Sequence, residues 1–259
     1  MIVVAAALLA AGSAAGASSP SKAPEPAYLA MARGEACLAR GQLSGARAAY
    51  LTVLKSDPNH FEALGRLTRV EVQLGARATG ATRAQLDKAA VDHARQAVRV
   101  GPDSSLAHVW LAVALGSKAL HEPFYNRILL AREMKNELDR AIDLDARNDR
   151  AYHLRGLLVR RVSTMNAVER AAVVVLLGGM PRGATMENAL DDFERAAQLD
   201  PRYVDHQLEL GRTLMMMRRF PEARLALERA ATLPPRSSDH DGGYQREARV
   251  LLERMPRAG

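Results

Sequence analysis

Three stretches of this chain align on one pattern: GARAAYLTVLKSDP (45–58), ENALDDFERAAQLDP (187–201) and PEARLALERAATLPP (221–235). Each carries an alanine, a large apolar residue four positions on, a small or branched residue three beyond that, and a closing proline. The members are Ala46, Tyr50, Val53 and Pro58; Ala189, Phe193, Ala196 and Pro201; and Ala223, Leu227, Ala230 and Pro235. Spacings of four and three put side chains on one face of an α-helix. Proline lacks the N–H that would continue the helix, so it marks the turn to the next one. A recurring helix with one apolar face cannot bury that face alone, so its copies must stack. Aromatics are only 4% of the chain while Ala, Leu, Arg and Glu are plentiful, a mix that favours helices over strands.

Each of these helices needs a partner before it, with a small residue where the two cross. Gly34 precedes Ala46 by twelve residues, and Gly211 precedes Ala223 by twelve. Two degenerate copies fill the middle: AAVDHARQAVRVGP, with Ala90, Ala94, Ala97 and Pro102, and ELDRAIDLDARND, with Leu138, Ala141 and Ala146 in place of proline. The pattern resembles the tetratricopeptide repeat (TPR), and LELGRTLMMMRRFPEARLALERAATLPP (208–235) matches it almost throughout. The resemblance implies an all-α fold, a right-handed α-solenoid of about five TPR-like helical hairpins over residues 27–235. GGYQREARVLLERMP (242–256) supplies a C-terminal capping helix.

The central repeats, 61–201, are enlarged. Thr68 to Ala90 and Ala112 to Met134 are each 22 residues, and Gly156 to Ala189 is 33, where the outer repeats have twelve. Inserted helices are therefore expected in the central repeats. The largest insertion holds AAVVVLLGGMPRGAT (171–185), an apolar block too short for a bilayer, which needs about 20 such residues. Gly178-Gly179 and Pro181 are expected to end its helix. The block from Leu106 to Leu233, with Trp110-x-Ala-Val and AYHLRG (151–156), resembles the regulator of microtubule dynamics family. That resemblance implies a domain implicated in phospholipid binding and transfer and in microtubule association.

The N-terminus argues for export. IVVAAALLAA followed by AGA before Ser18 reads as a signal peptide over residues 1–17, although no Lys or Arg precedes the apolar core. An uncleaved membrane anchor is the alternative. Residues 18–26 read as a flexible linker and 27–259 as the TPR-like solenoid domain, placed in the periplasm. An exported chain would not meet microtubules, whereas lipid binding survives the change of compartment. After cleavage no stable transmembrane segment is expected. Cys37 is the only cysteine, expected buried, so no intramolecular disulfide forms. The net charge of +7 is spread over arginines without an aromatic-interleaved basic run, so nucleic acid is not the expected partner.

No catalytic constellation, cofactor motif or metal set stands out, and the chain is read as a non-enzyme. Ser238 to Asp241 beside Gly242-Gly243 reads as a solvated turn. Binding is the usual work of a solenoid, whose first helices line one face. The residues expected there are Val109, Val113, His153, Leu157, Arg160, Arg161, Leu208, Arg212, Met215 and Met216, with Arg66 and Arg69 from the second repeat. Val173, Val174, Leu176 and Leu177 are expected to roof this groove as a lid. An apolar floor with arginines at its ends suits a lipid or other amphiphile. A peptide segment of a protein partner in an envelope complex is the other reading.

Overall fold

The computed structural model describes residues 25–180, 183–235 and 239–256, and among these every regular element is an α-helix. The expected signal peptide, most of the linker, Pro181 and Ser238 lie outside the described residues. Helices α1 (Ala27–Ala39) and α2 (Leu43–Ser56) form the first hairpin, α3 (Phe61–Arg77) and α4 (Gly80–Val100) the second. The third is α5 (Ser105–Ala119) with α6 (Phe124–Leu144). In the fourth, α7 (Asp149–Ser163) pairs with α9 (Met186–Leu199), and α8 (Ala167–Leu177) lies in the turn between them. Helices α10 (Val204–Met216) and α11 (Phe220–Thr232) make the fifth, and α12 (Asp239–Arg254) packs on both. The all-α array of five repeats and a cap is thus as expected, with α12 beginning at Asp239, so that the expected turn there is helical.

The repeat boundaries are set by short polar side chains. His60, Ser104, Asn148 and Thr185 each accept a hydrogen bond from the backbone N–H three residues on, starting α3, α5, α7 and α9. Asp57, Asp145 and Asp200 end α2, α6 and α9, each carboxylate accepting from the N–H two residues later. The helices of a hairpin approach closely where the first has glycine. A Cβ on Gly34 would fall 2.4 Å from the Tyr50 ring, and one on Gly211 would fall 2.6 Å from Leu227 Cγ. Phe193 occupies the same place over Gly156. In the second repeat the sizes are exchanged: Thr68 stands at the glycine position and Ala94 at the aromatic one.

The extra length of the central repeats takes two forms. In the second and third, α4 and α6 grow to 21 residues each, against 14 in α2 and 13 in α11. No breaker interrupts their apolar period, so the insertion extends the hairpin instead of making a new helix. Only the fourth repeat holds a separate one. There Asn166 forms a reciprocal capping box with Glu169, and Gly178 ends α8 in the left-handed conformation at φ 74°.

Charged side chains tie neighbouring helices together inside the array. Glu71 on α3 is fully buried, 3.0 Å from Arg47 on α2 and 2.8 Å from His93 on α4. Arg155 on α7 reaches Asp139 on α6 at 3.1 Å and grips Asp192 on α9 through both Nε and Nη2. Buried charges of this kind persist only where each is paired. Cys37 is a buried free thiol in the first hairpin core.

Candidate functional site

The first helices of repeats two to five enclose an open groove of about 360 Å³. Helix α3 contributes Thr68 and Arg69; α5 contributes Val109, Trp110 and Val113; α7 contributes Arg150, His153, Leu154 and Leu157. The start of α10 closes one end with Tyr203, Asp205 and His206. Trp110 fits because Gly65 has no side chain: a Cβ there would lie 2.2 Å from the indole. Phe61 packs against the same ring at 5.0 Å. The floor is therefore apolar, and Arg69 and Arg150 stand exposed beside it. Neither has a carboxylate within ion-pair distance among the described residues. Both line the same groove as Tyr203.

The polar end is held by a chain of four side chains. His206, fully buried, lies 2.8 Å from Asp149 through Nε2 and 3.0 Å from the His153 Nδ1 through its own Nδ1. The His153 Nε2 lies 3.3 Å from Asp205. Burial holds the His206 pKa below its ordinary 6.5, against the pull of Asp149. Burial pushes the Asp149 carboxyl up, but the hydrogen bond from His206, the charges of His206 and Arg150 and a backbone hydrogen bond together outweigh it and hold the group below 3.8. The unfolded chain therefore takes up a proton at His206 near pH 6.5, where the folded one does not. This ring subtracts stability as pH falls below 6.5, and Asp149 adds a further loss below 3.8. Melting curves between pH 7.5 and 5 are expected to show a falling midpoint, and His206→Gln should flatten that slope while lowering stability at neutral pH. An unchanged slope in the variant would refute the assignment.

The sequence-derived residues divide into groups. Val109, Val113, His153 and Leu157 line the groove together. Leu208 does not: it is fully buried in the fifth-repeat core, where Met215 also packs. Arg160 and Arg212 are not free groove ends either, because both bind Glu209. Arg160 also donates to the Glu209 carbonyl and Thr213, and Arg212 reaches Glu247 on the capping helix. Arg161 faces outward and pairs with Glu169 of α8 at 2.7 Å, and Met216 is exposed. Arg66 is engaged by Glu35 and Glu62.

The lid is a correction. Val173 and Leu177 line a separate apolar cavity of about 70 Å³ with Ile128, Leu158, Val159 and Val162, and share no lining residue with the groove. Val174 is exposed and Leu176 half-buried. Helix α8 sits at the tip of the fourth hairpin, beside the extension of α6, with which it shares that cavity. Arg150, Leu154, Tyr203, Asp205 and His206 were not foreseen. The groove crosses α3 at Thr68 and Arg69 but meets α10 five to eight residues before its crossing glycine, so it runs obliquely over the repeats. Among the described residues no group of three or more His, Cys, Asp or Glu is placed to hold a metal ion.

Stacked hairpins with an open groove on their first helices define a tetratricopeptide-type α-solenoid, and a tetratricopeptide repeat match over residues 4–61 agrees. A thermophilic TPR protein of Thermus thermophilus has the same fold, with a TM-score of 0.63 at 19% identity over 87% of this chain and all of that one. Residues 34–256 match the family described as Regulator of microtubule dynamics protein 1-3, and the chain belongs to that family. The match is wider than the stretch from Leu106 to Leu233 that carries the sequence resemblance. Regulator of microtubule dynamics protein 1 of Bos taurus is 31% identical over 164 residues, 63% of this chain and 51% of the relative. Its Caenorhabditis elegans counterpart is 27% identical over 191 residues, 74% of this chain and 84% of the relative. The chain thus spans about half the length of the bovine relative.

Proposed function

We propose that this chain is a non-catalytic binding protein that holds an anionic amphiphile in the oblique groove. The observation carrying this reading is the pairing of an apolar floor, Val109, Trp110, Val113, Leu154 and Leu157, with Arg69 and Arg150, which line the same groove without a carboxylate partner among the described residues. Each methylene buried on the floor gains roughly 0.8 kcal/mol. Each guanidinium offers a carboxylate or phosphate two parallel hydrogen bonds. The test is native mass spectrometry of delipidated, refolded protein offered palmitate or phosphatidylglycerol. One bound amphiphile is expected, and Arg69→Ala with Arg150→Ala should weaken it by roughly a hundredfold, at about 1.5 kcal/mol or more per charged contact. No uptake of either ligand by the refolded protein would overturn the reading.

A second reading rests on the missing roof. With α8 at the hairpin tip, the groove is open along its length, which admits an extended acidic peptide of a partner protein. Retention of such a peptide, with no amphiphile bound, would decide for this reading. Export to the periplasm is part of the proposal: the mature chain should begin at Ser18 by N-terminal mass spectrometry of an envelope fraction, and intact Met1 in the cytosol would exclude it.

A further inference from the structure

Helix α8 is apolar on both faces. Of its eleven residues only Val173 is buried, yet the outer surface carries no polar row. Val168, Ala171 and Val175 follow one another at spacings of three and four on the exposed side, joined by Val174. Val168 is 79% exposed and Val175 81%. A surface helix normally turns charged residues outward, so an apolar outer stripe marks a face that is covered in use.

The stripe belongs to one edge of the array, where the first helix of each hairpin turns into the second. Leu120, 74% exposed, and Tyr125, 53% exposed, stand on that edge in the third repeat, and Met216 stands there in the fifth. The extension of α6 runs beside α8, since Ile128 and Val173 share a cavity and the charge of Arg127 reaches Glu169. The edge continues into the second repeat, where Arg83 of α4 contacts His121 at 2.7 Å.

Cations border this apolar edge. Arg127 and Arg132 on α6 have no carboxylate partner at ion-pair distance among the described residues, and Arg170 donates only to the backbone carbonyls of Ser163 and Met165. The one acid of α8, Glu169, is occupied by Arg161 and the helix cap. The opposite edge, where each hairpin passes to the next, holds Asp57, Asp103, Asp145, Asp149, Asp200 and Asp205. The exposed valines thus stand on the edge away from these aspartates.

We propose that the hairpin-tip edge formed by α8 and the start of α6 docks on an anionic lipid bilayer, the outer valine stripe entering the interface and Arg127, Arg132 and Arg170 meeting the headgroups. Interfacial helices combine an apolar face with flanking Arg or Lys in this way, and affinity scales with both. The bilayer is favoured over a protein partner because Arg127, Arg132 and Arg170, none of them paired with a carboxylate among the described residues, flank the apolar stripe, while the acids beside it, Glu122 and Glu169, are already engaged by Lys118 and Asn126 and by Arg161. This docking does not depend on what the groove holds.

The test places an environment-sensitive fluorophore on Val175→Cys, and as a control on Leu225→Cys of α11, in the full chain; Cys37 is buried and stays unlabelled. Vesicles of phosphatidylcholine with and without phosphatidylglycerol are added. The Val175→Cys label should brighten and shift to the blue only with phosphatidylglycerol, reversibly in high salt, while the Leu225→Cys label stays unchanged. Arg127→Glu with Arg132→Glu should weaken that response roughly thirtyfold or more, from about 1 kcal/mol per basic residue. Arg69→Ala with Arg150→Ala should leave it intact, which separates this docking from groove binding. A Val175→Cys label that ignores anionic vesicles, or responds equally to phosphatidylcholine alone, overturns the proposal. So does a label already shielded without vesicles in a protein that sediments as a dimer.

Discussion

Phe193→Ala should lower the stability of the fold by about 3–5 kcal/mol, the usual cost of emptying a buried aromatic site. The ring is fully buried where α9 crosses α7, against Gly156, Val159 and Ala189. It also meets the edge of His153 at 5.7 Å and lies under the Arg160 guanidinium at 5.0 Å. The alanine variant would therefore lose hairpin packing and the support of the groove together. Each repeat of a solenoid touches only its neighbours, so the damage should be local at first. Urea unfolding measures the total, and hydrogen exchange should show α7 and α9 losing protection while α1 and α2 keep theirs. A loss below about 1 kcal/mol would mean that the fourth repeat does not depend on this ring.

Arg155→Ala is expected to cost about as much, roughly 3–5 kcal/mol, for a different reason. Asp192 is buried, and its carboxylate receives Arg155 through both Nε and Nη2, while Asp139 takes a third bond. Removing the guanidinium leaves a buried carboxylate without its partner, and a repulsive Asp139 remains nearby. The paired substitution Arg155→Met with Asp192→Leu removes both charges and should recover most of the loss. If the double variant is as unstable as the single one, shape at the α6–α7–α9 junction, not charge, holds these helices.

Much of this architecture is legible along the chain because helix packing writes itself locally. Gly34 and Gly211 stand twelve residues before Ala46 and Ala223, and each glycine receives the large residue four places after that alanine. The same reading places Phe193 over Gly156 across a 33-residue gap. It also places Val109, Val113, His153 and Leu157 on the groove, because they stand three residues before and one residue after the crossing positions Ala112 and Gly156. The Glu209 grip on Arg160 and Arg212 was not legible, since a carboxylate shared between repeats leaves no periodic trace.

The lid shows where local pattern stops. The valines of α8 are an apolar helix in any reading, and Asn166 and Gly178 mark its ends. Which surface that helix meets depends on the direction in which the chain leaves α7. The capping box starts the helix, and the extended α6 offers the wall of Ile128 and Ala131 beside it. The groove shows the same limit in another form. Periodicity assigned Leu208 to it by analogy with His153, since both stand three residues before a glycine. The stacked hairpins instead carry the groove toward the start of α10, so His206, Asp205 and Tyr203 close it and Leu208 enters the core. Helix identity, hairpin pairing and the close glycine contacts follow from side chains within one repeat, where spacing and size suffice. The course of the groove, the commitment of its arginines and the seat of α8 arise from the tilt accumulated between repeats, which no single repeat encodes.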